Sequence, residues 1–118
     1  MSKAVVIVLA DVESHGDLGR VVNALETVKE FQEHGEEVAL IFDGAGTRWP
    51  AKLADPQHPA HPLYEQVENS VAGVCKYCAN AFGAADEAEV LGIPFIAEHD
   101  GHPSVYKYAS AGYDVVTF

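Results

Sequence analysis

Apolar residues fall in short blocks separated by polar turns, and the blocks alternate between two periods. Ala4 to Ala10 is an unbroken β-branched and aliphatic run, the pattern of a strand buried on both faces in a parallel sheet. From Asp17 the apolar residues Leu18, Val21, Val22, Leu25, Val28 and Phe31 recur at three- and four-residue steps and share one helical face. Asp17 is placed to cap this helix, and Gly35 to end it in the left-handed conformation. Glu37 to Phe42 reads as a second buried strand ending at Asp43-Gly44, which completes a βαβ unit.

Between Gly44 and Pro62 the periodicity lapses. This stretch holds Trp49, four prolines (Pro50, Pro56, Pro59, Pro62) and two histidines, His58 and His61, and allows at most a short helical turn around Ala51 to Ala54. So long a loop in a small domain is a candidate lid beside a site, or else a surface excursion. Beyond it the pattern predicts a helix over Leu63–Asn69, a strand over Ser70–Cys75, and a helix from Lys76 or Tyr77 through Phe82. Further on it predicts a helix over Ala85–Leu91, a strand over Ile93–Ala97, a helix from Pro103 to Ser110 and a last strand over Tyr113–Phe118. Strictly alternating strands and helices predict an α/β fold: one doubly wound domain over residues 1–118, with a five-stranded, mainly parallel sheet flanked by helices on both faces.

The composition narrows the setting. No apolar run is long enough for a membrane span, and the acidic residues that follow the first block argue against a signal peptide. A net charge of −11 repels phosphate backbones and anionic membranes, so neither nucleic acid nor membrane is expected as a partner. The two cysteines, Cys75 and Cys78, are too few and too close for the disulfide framework of a secreted mini-protein. Their spacing points instead to metal or redox chemistry in the cytoplasm.

In open parallel sheets ligands bind outside the carboxyl ends of the strands. The polar clusters lie there: Asp11, Ser14 and His15 after the first strand; Asp43, Arg48 and Trp49 after the second; Cys75 and Cys78 after the third; Glu98, His99 and His102 after the fourth. The Cys75-Lys76-Tyr77-Cys78 motif is the most specific of them. A thiol at a helix start meets free backbone N–H groups, and Lys76 adds positive charge, so Cys75 is expected to be an activated nucleophile. Cys78, one turn on, could attack a sulfur bonded to Cys75. His15, His99 and His102 are candidate proton carriers.

Other readings compete. Both cysteines could be inert buried hydrophobes. Cys75 and Cys78 with His58 and His61 offer four ligands for zinc, making a non-catalytic metal- or small-ligand-binding module the alternative function. A thioredoxin-type site fits less well, because no proline separates the thiols and the pair follows the third strand. Gly44-Ala45-Gly46 lacks the rest of a dinucleotide fingerprint, and no phosphate loop or nucleophile elbow occurs, so no cofactor is expected.

The strand Val5-Val6-Ile7-Val8, the stretch from Val74 through Cys75 and Cys78 to Gly83, and the tail Gly112 to Phe118 together resemble the DsrE/DsrF-like family, which includes sulfur-relay subunits. The resemblance covers essentially the whole chain. In such proteins a cysteine eight residues before a glycine can carry a persulfide, and Cys75 stands eight before Gly83. The resemblance therefore implies a sulfur carrier, with Cys75 loaded and Cys78 resolving, and leaves open whether it acts as a sulfurtransferase. In that reading Lys76 supports the anion, Trp49 and its loop limit water, and sulfur donor and acceptor proteins are the partners. It also implies a homo-oligomer, a trimer or hexamer.

Overall fold

The computed structural model describes residues 2–118. Five parallel strands form one sheet in the order β4-β3-β2-β1-β5: β1 (Lys3–Val8), β2 (Glu37–Phe42), β3 (Val71–Cys75), β4 (Phe95–Ile96) and β5 (Asp114–Thr117). Every neighbouring pair is parallel, with Val8 beside Phe42, Phe42 beside Val74, and Cys75 beside Ile96. The helices are α1 (His15–Glu33), α2 (Trp49–Leu53), α3 (His61–Val67), α4 (Lys76–Ala81), α5 (Ala85–Val90) and α6 (Val105–Ser110).

Side chains alternate across a strand, so β1 sends Val6 and Val8 to one face and Val5 and Ile7 to the other. The first face is the main core: Val6, Val8, Leu40, Phe42 and Val74 pack against residues from α1 to α5, with Leu25 of α1 and Leu53 of α2 fully buried. On the second face Val5, Ile7 and Ile41 are covered chiefly by Tyr108 of α6 and by Tyr113. Helices thus flank both faces, but five lie on one and a single short one on the other. None of the described helices is long and apolar enough to cross a membrane.

Several boundaries differ from the sequence expectation, each for a local reason. Ser14 caps α1 instead of Asp17: its Oγ accepts the Asp17 N–H at 3.1 Å, so the helix starts at His15. Gly35 ends the helix as expected, at φ 68°. β1 stops at Val8, after which Leu9 and Ala10 both donate N–H groups to Phe118 O. β4 shrinks to two residues next to Pro94, and α6 begins at Val105 under a Ser104 cap.

The largest correction concerns residues 44–62, which are not a loose lid. Gly44–Arg48 form a 3-10 turn running directly into α2. Trp49, only 2% exposed, donates its indole N–H to Ala10 O at 2.9 Å and so locks the segment onto the end of β1. Burying an indole and satisfying its one donor outweighs the disorder that prolines and polar residues suggest.

Candidate functional site

Because β4, β3 and β2 are adjacent and parallel, their carboxyl ends open on one edge. Asp43 directly follows β2, Cys75 ends β3, and the turn beyond β4 carries His102. The ligand atoms of Asp43, Cys75, Cys78 and His102 all lie within 4.8 Å of one another.

Each side chain is held by an identifiable device. Cys75 is the cap of α4, and its sulfur accepts the Cys78 N–H at 3.4 Å. Asp43 caps the 3-10 turn, with Oδ1 accepting the Gly44 N–H at 2.8 Å. His99 to His102 form a tight turn closed by His99 N–H to His102 O at 2.9 Å and by the reverse bond at 2.8 Å. Its central residues Asp100 and Gly101 have φ of 50° and 85°, the positive values that an Asp-Gly turn supplies. Glu98 fastens the segment by accepting from Ser104 N and from Lys107 Nζ, the latter at 2.6 Å. Gly101 O accepts the Tyr77 N–H at 3.0 Å, and the Tyr77 ring lies 4.9 Å from the His102 ring.

This arrangement places His102 Nδ1 3.3 Å from Cys75 Sγ. With the imidazole proton on Nε2, Nδ1 accepts the S–H bond. Both thiols are free, Cys75 fully buried and Cys78 half-buried. The expected activation of Cys75 by its helix start and by Lys76 is reversed. Burial pushes the thiol up to about 12; the Cys78 N–H opposes this, while the Cys78 side chain, by hydrogen bonding, and Asp43, by charge and hydrogen bonding, add to the rise. Lys76 is exposed and is not among the groups acting on the thiol. Cys75 is therefore a protonated thiol at neutral pH, and any reaction requires a partner to take its proton.

The other sequence candidates separate from this cluster. His99 is exposed, with Nε2 3.7 Å from Asp100. His15, Trp49 and His58 line a different cleft, together with Val12 and Lys52, to which neither cysteine contributes. His58 packs edge-on to Trp49, and His61 meets Leu53 O through Nδ1 at 2.7 Å and Glu65 through Nε2 at 3.4 Å. The ligand set of Cys75 and Cys78 with His58 and His61 is thus replaced by one containing Asp43 and His102. Asp43 is the residue to which the sequence reading assigned no role. Its signal was its position, the first residue beyond a buried strand.

An all-parallel doubly wound sheet with a buried strand-end thiol between an imidazole and a carboxylate defines the class of this domain. The chain belongs to the DsrE/DsrF-like family, whose pattern matches residues 4–118. An uncharacterized protein of Methanocaldococcus jannaschii is 30% identical over 98 residues, which are 81% of this chain and 78% of that protein. A conserved protein of unknown function from Bacteroides thetaiotaomicron superposes with a TM-score of 0.62 at 15% identity, covering 99% of this chain and 95% of the other, a likeness of fold alone.

Proposed function

We propose that this protein is a sulfur carrier in which Cys75 holds a persulfide. The observation that carries the reading is the 3.3 Å approach of His102 Nδ1 to Cys75 Sγ, in a chain whose family includes sulfur-relay proteins. The Cys75 proton passes to His102, and the thiolate attacks the outer sulfur of a donor persulfide. An S–S bond forms at Cys75 as the donor S–S bond breaks, and the donor leaves as a thiol that recovers the proton. An acceptor thiolate attacking the same outer sulfur carries it away and restores Cys75. Where Cys78 attacks Cys75 Sγ instead, hydrosulfide departs and a Cys75–Cys78 disulfide remains for a cellular dithiol to reduce.

The free thiols and the absence of a membrane-length helix among the described residues fit a cytoplasmic carrier. Exposed Val90, Tyr106 and Val105 supply apolar surface for the homo-oligomer that the family resemblance implies, and sedimentation velocity would measure its size. The central test treats reduced protein with a sulfane-sulfur donor and maps the product by mass spectrometry. A gain of about 32 Da on Cys75, absent in Cys75→Ser and longer-lived in Cys78→Ser, is expected. No added sulfur on either cysteine would overturn the reading.

A further inference from the structure

We infer that Asp43, Cys75, Cys78 and His102 form a binding site for one Zn2+ ion. The donors are two thiolates, an imidazole nitrogen and a carboxylate oxygen, and all four ligand atoms lie within 4.8 Å of one another. In a tetrahedral zinc site with the usual bond lengths, sulfur and nitrogen ligands stand roughly 3.6 Å apart. The Cys75 Sγ to His102 Nδ1 separation of 3.3 Å is already close to that value. A modest shift of the side chains toward a common centre completes the polyhedron.

The chemistry of the set selects the ion. Magnesium and calcium take oxygen ligands almost exclusively, and here only one of four donors is oxygen. Paired thiolates with imidazole suit zinc, which has no strong geometric demand beyond four coordination. Cys75 and Cys78 also have the two-residue spacing common among zinc-binding pairs, on the turn that begins α4.

The scaffold holds the donors before any ion arrives. Asp43 and Cys75 stand at neighbouring strand ends of one parallel sheet, His102 lies in the turn beyond the next strand, and the Asp43 carboxylate is oriented by the Gly44 N–H that its Oδ1 accepts. The closed His99–His102 turn and the Tyr77 ring fix the imidazole, as the outer shell of a metal site does. Cys75 forms the buried floor, whereas Asp43, Cys78 and His102 are half-buried and leave a route inward. Binding releases the two thiol protons to solvent. Three anionic donors then neutralise the ion and leave a site charge of −1, and the −11 charge of the chain draws cations toward it.

This site does not rest on the sulfur-carrier reading, and its test needs no sulfur donor. Untagged, reduced and metal-stripped protein is titrated with Zn2+ against a chromogenic chelator, and with Co2+ by absorption spectroscopy. One equivalent of each is expected, the cobalt form showing thiolate-to-metal charge transfer and ligand-field bands of tetrahedral intensity. Asp43→Asn and His102→Ala should each weaken binding by about tenfold or more while circular dichroism stays that of the folded protein. The double variant His58→Ala/His61→Ala should bind as the parent does. Failure of the reduced protein to bind stoichiometrically, undiminished binding by both Asp43→Asn and His102→Ala, or loss of binding in the His58/His61 variant would each overturn the assignment.

Discussion

The sulfur of Cys75 and Nδ1 of His102 lie 3.3 Å apart although they stand 27 positions apart in the chain. In the proposed carrier a thiol held protonated by burial and a nitrogen placed to take its proton act as a unit: Cys75 would supply the nucleophile and His102 would release it. Replacing His102 by Asn, which keeps a similar volume without the base, should slow persulfide loading of Cys75 at neutral pH about a hundredfold. Loading at the parent rate would show that another group takes the proton.

Asp43 works against ionisation of the same thiol, through its charge and its hydrogen bond. Asp43→Asn removes the charge and should move the pH profile of Cys75 alkylation toward lower pH. The profile is read in a Cys78→Ser background so that only one thiol reports. An unmoved profile would mean that the charge of Asp43 does not help to hold the thiol up.

The raised thiol also has a consequence for stability. The folded state keeps the Cys75 proton while the unfolded chain has lost it between about 9 and about 12, so the folded state binds more protons there. The contribution is complete below about pH 9 and is lost as pH climbs through that window. Urea denaturation of the parent and of Cys75→Ala across this range should show the stability gap between them narrowing with rising pH. A constant gap would contradict the burial argument.

Gly46 sits where the 3-10 turn crosses the end of β1, and a Cβ there would lie 2.1 Å from Val8 O and 2.7 Å from its carbonyl carbon. Backbone must move to admit it, so Gly46→Ala should cost about 1–3 kcal/mol in chemical denaturation. Gly19, inside α1 with nothing within 4 Å of a built Cβ, is the contrast. Gly19→Ala should stabilise by about 0.5–1 kcal/mol.

The amino-acid sequence by itself determined the strands, the helices outside residues 44–62 and their alternation. The apolar run of β1, the three- and four-residue spacing in α1 and the glycines at positions 35, 83 and 92 are local signals, and local sterics and burial periodicity decode them. It also picked out Cys75 and Cys78, because their spacing alone carries chemical meaning. Which strand ends meet was a tertiary decision. Cys75 neighbours Asp43 and His102, while His58 and His61 stay with Trp49 and α3, because the strand order β4-β3-β2-β1-β5 sets two of those ends beside β3. The ionisation of Cys75 was decided there too. Its motif predicts an activated thiol, but desolvation depends on what the rest of the chain packs around the sulfur, and here it outweighs the N–H group of the helix start.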